Sequence, residues 1–353
     1  MSIFVSAKYF FLILAILLIL IVVVYLKNKT RADSMISPFI PQVMKNVTNN
    51  VVINPLSITY MKSQKYPGSD FVIEQTLSDG SNYHQYIASY LSENLKINGL
   101  LTVPKGTPPS GGWPAILFNH GYIQPDLYQT TSKYVAYVEG FAKSGYVVFK
   151  PDLRGHGKSE GIPEGAYYSP AYTIDDLNAL SSLKRYPQVN PQKLGVWGHS
   201  MGGNITLRDL VVNPEDIKVA VIWGGVVGSY DDLMNNWTRK VPFVPSQRDL
   251  ALRINHRKEL IDKYGTPTSN PVFWNSIDPT AHLDLINAPI FLVVGGNDEE
   301  VPIDFSIGLR DKLLKLNKPI EFLKLPGGDH NISGNNFAPA MKASVDFFDR
   351  YLK

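Results

Sequence analysis

Cysteine is absent from the 353 residues. That excludes disulfides, a thiol nucleophile and thiolate metal sites, and leaves the redox compartment open. An excess of one charge is absent too: 34 Lys and Arg against 31 Asp and Glu leave a net charge of +3. No run of basic residues forms the stripe that binding to nucleic acid would require. Internal repeats and low-complexity segments are likewise missing. Apolar residues at 44% and charged residues at 18% are ordinary for a globular chain and suffice for a sizeable core in one or two domains.

One long hydrophobic run stands out from this average. Residues 9–26 read YFFLILAILLILIVVVYL without a charge. As a helix the run would rise about 27 Å, close to the hydrocarbon thickness of a bilayer. Buried soluble helices rarely stay apolar on every face for such a length. A cleaved signal peptide would end in small residues, whereas Val22-Val23-Val24-Tyr25-Leu26 runs straight into Lys27. Residues 1–29 are therefore expected to be an uncleaved single-pass anchor that holds the protein at a membrane. Lys8 before the run and Lys27, Lys29 and Arg31 after it balance too closely to assign the side on which the remaining chain lies.

Residues 30–58 are polar, with Pro38, Pro41 and Pro55, and read as a stalk ahead of a catalytic domain over 59–353. Short β-type runs at 71–74, 86–90 and 96–103, separated by Ser78-Asp79-Gly80-Ser81 and Ser92-Glu93-Asn94, predict antiparallel strands. After Pro104 strands alternate with helices. The strands are expected at 115–118, 146–149, 194–197, 219–223, 290–294 and 320–323, and the helices at 134–143, 173–185, 201–211, 307–316 and 338–352. Asp175 and Asp176 read as first-turn charges that open the second of these helices. This rhythm predicts an α/β fold whose sheet is mostly parallel, with helices on both faces. Residues 225–288 carry no strand signal, and a loop so long is uncommon, so a helical cap inserted between two strands is expected there.

Gly198-His199-Ser200-Met201-Gly202-Gly203 contains G-x-S-x-G between an apolar strand and a helical pattern. That is the context in which a sharp turn lifts a serine hydroxyl clear of a sheet. Glycines at both ends remove the Cβ atoms that would collide with strand and helix. A hydroxyl nucleophile needs a base that is itself oriented by an acid, in the chain order Ser, acid, His. Three histidines follow Ser200. His256 lies among Arg253, Arg257 and Lys258 and reads as a solvated face, and His282 reads as structural. His330 follows a late strand in Pro326-Gly327-Gly328-Asp329-His330, at the strand end where ligand groups collect in open α/β sheets, and is the expected base. Asp298, in the loop after the preceding strand, is the expected acid, with Glu299 and Glu300 as local competitors.

Phe118-Asn119-His120-Gly121-Tyr122 follows an early strand. The Tyr122 and Met201 amides are the expected donors to an oxyanion. His120, Asp152, Arg154 and His156 are expected to buttress the site rather than react. Trp223, Trp237 and Trp274 are candidate walls of the substrate pocket, with core or cap packing as the alternative for each. No spacing of ligating residues implies a metal or an organic cofactor.

Asn119-His120-Gly121, Asp152-Leu153-Arg154-Gly155-His156-Gly157, Gly198-His199-Ser200-Met201-Gly202-Gly203, Gly296-Asn297-Asp298 with Val301-Pro302, and Gly328-Asp329-His330 together resemble the α/β-hydrolase superfamily. Within it, residues 70 to the end most resemble the catalytic domain of the prolyl oligopeptidase family of serine peptidases, without the β-propeller that precedes it in classical members. The resemblance implies Ser200, Asp298 and His330 as a triad, with the Tyr122 and Met201 amides as the oxyanion hole. It also implies a serine hydrolase that cleaves peptide, amide or ester bonds in a small-molecule ester or short peptide. Carboxylesterases, including feruloyl-type enzymes, share this fold and form the alternative. A membrane-tethered binding module that has lost activity is the reading from a different class.

Overall fold

The alternating apolar runs pair into one nine-stranded sheet in the computed structural model, which describes residues 54–353. β1 (Val72–Thr76), β2 (Tyr83–Ser92) and β3 (Leu95–Pro104) pair antiparallel, and β3 continues antiparallel onto β5 (Val147–Pro151). From there β4 (Trp113–Asn119), β6 (Val189–His199), β7 (Val219–Trp223), β8 (Ile290–Gly295) and β9 (Ile320–Leu325) follow in parallel. The spatial order is β1-β2-β3-β5-β4-β6-β7-β8-β9. Between the paired Ser92 and Leu95, Glu93 and Asn94 adopt φ of 49° and 68°. This left-handed pair is what a two-residue hairpin turn matched to strand twist requires.

The central strands are apolar on both sides, and their alternate residues feed two cores. Ile116, Phe118, Trp197, Val221, Trp223 and Val293 face α2 (Val135–Lys143) and the C-terminal α8 (Phe337–Leu352), which contribute Phe141, Phe347 and Phe348. Leu117, Val196, Ala220, Ile222 and Leu292 face the other way, onto α3 (Ala171–Arg185), α4 (Met201–Val212) and α7 (Ile303–Lys315). Each large side chain so buried stabilises the fold by about 1.5–3 kcal/mol, and helices cover both faces for that reason.

The compact unit begins at Pro55, inside the stretch expected to be stalk. Leu56, Ile58 and Met61 are buried, Ser57 caps the short α1 (Ile58–Ser63), and Arg208 of α4 donates to the Leu56 carbonyl at 3.2 Å. Pro55 punctuates the chain there without keeping the following residues in solvent. The hydrophobic run at 9–26 lies outside the described residues, among which no helix is long and apolar enough to cross a membrane.

Between β7 and β8 the chain forms a helical turn at Asp232–Asn236, then α5 (Gln247–Tyr264) and α6 (Pro271–Ile277), with no strand among them. Ser246 caps α5 by accepting the Asp249 amide at 3.1 Å, and Gly265 at φ 78° ends it. Asn270 caps α6, with Pro271 at its first position.

Candidate active site

Ser200 links β6 directly to α4 and has φ 54° and ψ −118°, an unusual conformation for a residue with a side chain. Such backbone costs on the order of 1–3 kcal/mol and persists only where its surroundings hold it. Here the Ser200 amide donates to the Trp223 carbonyl at 3.1 Å, while its own carbonyl accepts the Gly203 and Val226 amides at 3.0 and 2.9 Å. The turn also needs its glycines. A Cβ on Gly202 would lie 2.0 Å from the Asn119 carbonyl oxygen, and one on Gly198 would lie 2.5 Å from the Gly202 carbonyl oxygen.

The loops after β8 and β9 bring Asp298 and His330 together. A Cβ at Gly295 would sit 2.2 Å from the Asp329 carbonyl oxygen, so only glycine lets the loops meet there. His330 Nδ1 donates to Asp298 Oδ2 at 2.8 Å, and the two side chains are only 6% and 3% exposed. Asp298 Oδ1 accepts the Glu300 and Val301 amides, each at 2.9 Å. The acid is thus held from both oxygens. Of its neighbours, Glu300 is engaged by Arg239 at 2.6 Å and Glu299 is exposed. Ser200, Met201, Tyr122 and His330 all line one cleft of about 380 Å³.

The Met201 amide begins α4, where a helix has no internal acceptor for it. Neither it nor the Tyr122 amide is bonded to an acceptor among the described residues, so both are available to a ligand in the cleft. The loop carrying Tyr122 is tied down on both sides. The Gly121 amide donates to Tyr134 Oη at 2.8 Å, and the Tyr122 hydroxyl donates to Asp249 of α5 at 2.9 Å. Tyr134 in turn donates to His199 Nδ1 at 2.7 Å, and His199 Nε2 donates to the His330 carbonyl at 3.0 Å. Burial lowers His199 to about 3, so it stays neutral with its tautomer fixed by these two bonds. One hydrogen-bonded chain therefore connects the Gly121-Tyr122 loop to the loop that carries His330.

The residues expected as buttresses are buried. His120 and His156 are lowered to about 3 and about 4 by burial, and donate from Nδ1 to the carbonyls of Gly121 and Arg154. Arg154 makes a bidentate contact with Asp175, and the Asp152 carboxylate accepts from Thr130 at 2.5 Å. Asp175 and Asp176 lie in the second turn of α3, because the helix starts at Ala171 rather than 173, and both point inward. Asn119 bridges Asp176 and Asp209 at 2.8 and 3.4 Å. Burial first, and the neighbouring Asp176 second, push the Asp209 carboxyl well above its usual range, so it keeps its proton.

That proton makes a testable contribution to stability. With its folded value raised, the contribution of Asp209 is fully present below pH ~4, where the unfolded carboxyl is also protonated, and is lost as pH rises towards the folded value. Over that window each pH unit costs up to about 1.4 kcal/mol. Asp209→Asn keeps a donor and removes the titration. Thermal unfolding at pH 5 and pH 8 should therefore show the variant gaining on the wild type at the higher pH; a gap unchanged by pH would contradict the protonated carboxyl.

Of the three tryptophans expected at the pocket, the structure puts only Trp237 on the cleft, where its indole donates to the Glu300 carbonyl at 2.9 Å. Trp223 is fully buried on the α8 side of the sheet and donates to Ser344 at 2.9 Å. Trp274 is buried under the turn between α5 and α6 and donates to the Gly265 carbonyl at 2.9 Å. The cleft walls are instead completed by Tyr167, Phe243, Asp249, Arg253 and His256. His256 and Arg253, read from sequence as a solvated face, turn towards the cleft: with Asp249 and Leu252 they occupy i, i+3, i+4 and i+7 of α5, one helical face.

The family described as serine aminopeptidase, S33 (Hydrolase_4) matches residues 114–265, which run from β4 through the end of α5. The chain is 27% identical over 244 residues to the uncharacterized peptidase YtmA of Bacillus subtilis, covering 69% of this chain and 85% of that one. It spans under a third of the length of the fungal dipeptidyl-aminopeptidases among its relatives. In fold it aligns with the acylaminoacyl peptidase of Pyrococcus horikoshii at a TM-score of 0.59 and 20% identity, over 78% of this chain and 42% of that one. It aligns with the acetyl xylan esterase of Paenibacillus sp. R4 at 0.60 and 17%, over 84% and 92%. The chain has the α/β-hydrolase fold of a serine hydrolase and is similar to the catalytic domains of the prolyl oligopeptidase family.

Proposed function

We propose that the chain cleaves peptide, amide or ester bonds of small substrates through an acyl-enzyme formed on Ser200, most nearly as a serine peptidase. The observation that carries this reading is the buried 2.8 Å bond from His330 Nδ1 to Asp298, on the same cleft as a serine held at φ 54°. Ser200 Oγ attacks the carbonyl carbon while His330 Nε2 takes its proton. The negative charge that develops on the carbonyl oxygen is met by the Tyr122 and Met201 amides. His330 then gives its proton to the leaving group as the scissile bond breaks. Water reverses the sequence: it loses a proton to His330, attacks the acyl carbon, and the proton returns to Ser200 Oγ as the acid departs. Asp298 holds the imidazole tautomer throughout and stabilises the imidazolium without taking its proton.

The peptidase reading draws support from the relative named an uncharacterized peptidase, which matches over 85% of its length. A carboxylesterase is the second reading. The same fold over nearly the same length occurs in an acetyl xylan esterase, so architecture does not choose between them. Esters also need less protonation of the leaving group than amides, so one site can serve either. A panel of chromogenic acyl esters of rising chain length, run beside aminoacyl and dipeptidyl amides, decides the question. Turnover of the amides supports the peptidase; turnover of esters alone makes the enzyme a carboxylesterase. The uncharged run at 9–26 supports attachment to a membrane. Alkaline extraction should leave the full chain in the membrane pellet, and release into the supernatant would refute the anchor.

A further inference from the structure

Arg253 stands on the wall of the cleft, paired with no carboxylate among the described residues. Its guanidinium carbon lies 5.2, 5.3 and 5.4 Å from the ring centres of Tyr167, Trp237 and Phe243. Ring faces attract the cation but accept none of the in-plane N–H donors that give guanidinium its specificity for carboxylates. Among the described residues Arg253 makes no hydrogen bond and no ion pair.

Arg239 shows the contrast. It rests on the same Trp237 and Phe243 rings, at 6.0 and 4.9 Å, yet is paired with Glu300 at 2.6 Å. The other carboxylates on the cleft are also engaged: Asp249 accepts from the Tyr122 hydroxyl at 2.9 Å, and Glu164 accepts from Ser169 at 2.6 Å. Arg253 is thus a cation set among three aromatic rings, with its donors unspent among the described residues, in the cavity that also holds Ser200 and His330.

We propose that Arg253 recognises a carboxylate on the substrate, remote from the bond that is cleaved, so that the enzyme prefers substrates with an anionic end. Contact with three rings restricts the Arg253 side chain before any ligand arrives, which reduces the side-chain freedom lost when a carboxylate docks against its fork. The proposal rests on the reading of the same cleft as a serine hydrolase site.

The test uses the full-length protein and matched pairs of 4-nitrophenyl esters. The half-esters of adipate, suberate and sebacate carry a free terminal carboxylate, and each is compared with its own terminal methyl ester, in which a methyl group replaces that charge. The three lengths sample the span from Ser200 to Arg253. The quantity read is the ratio of kcat/KM for the anionic ester to that for the neutral one, within a single protein, so the fraction of active enzyme cancels. The wild-type ratio should exceed one for at least one length. Arg253→Gln should lower it by about 10- to 100-fold, the worth of a hydrogen-bonded charge pair, and Arg253→Lys should restore part of it.

Turnover of the methyl esters with a ratio that Arg253→Gln does not move would overturn the proposal and leave the hydrolase reading standing. Failure to turn over any ester, without labelling of Ser200 by a fluorophosphonate, would remove the hydrolase reading instead. Binding of free suberate, followed by calorimetry on the wild type and on Arg253→Gln, judges the carboxylate site without turnover. Loss of binding in the variant supports it, and equal binding or none in the wild type overturns it.

Discussion

Ser200→Ala should lower kcat by roughly 10,000-fold or more and abolish labelling by a fluorophosphonate, with little change in thermal stability. The size follows from the proposed mechanism: losing the nucleophile of a Ser-His-Asp unit costs about as much as losing the whole unit. What remains is the stabilisation given by the oxyanion donors and by binding. Stability should hold because alanine and serine both carry a Cβ, so the cost of φ 54° is already present in the wild type. The hydroxyl itself makes no hydrogen bond to another group among the described residues. A 4-nitrophenyl ester should give a burst of nitrophenol equal to the enzyme concentration where deacylation is the slower step, and the variant should show none. A burst surviving in the variant would move the nucleophile elsewhere.

The sheet was legible in the sequence where a run was apolar enough to be a buried strand, as at 219–223, which the structure bounds at the same residues, Val219–Trp223. Ser200, Asp298 and His330 could be singled out as candidates because each stands in a loop or turn at the end of such a strand. Which face of a strand meets a cavity was not legible. β7 is apolar at every position, so nothing in its pattern told whether Trp223 faces the cleft or α8. The size of an indole draws attention to it, yet Trp223 and Trp274 serve packing, each with its N–H satisfied internally.

Helix α5 misled in the opposite direction. Its charged residues suggest a solvated face, and only Leu260 is buried, so no apolar stripe orients the helix. The face bearing Asp249, Arg253 and His256 is polar because it borders a cleft, a distinction that depends on what lies across from it. Asp176 gave a similar signal. Its acid beside a helix start suggested the macrodipole, whereas its partners Asn119 and Asp209 come from distant segments that meet only in the folded chain.

Asp298→Asn should lower kcat by on the order of 1,000- to 10,000-fold with a much smaller change in KM. The two backbone amides that hold Asp298 Oδ1 make this substitution informative. Asparagine has one oxygen and one NH₂ group, and the Glu300 and Val301 amides, as donors at 2.9 Å, will claim the oxygen. That leaves NH₂ facing His330 Nδ1, where the wild type has a carboxylate oxygen at 2.8 Å. A donor there forces Nδ1 to accept, which puts the imidazole proton on Nε2, the atom that must receive the Ser200 proton. The base is then present but in the wrong tautomer. Binding is spared because Asp298 stands behind His330 and does not line the cleft. Glu299→Gln and Glu300→Gln, measured alongside, should each retain most of kcat, since neither carboxylate contacts His330. Should Asp298→Asn keep more than about a tenth of the wild-type rate, far above the loss a tautomer switch imposes, the orienting acid would have to be sought among those two.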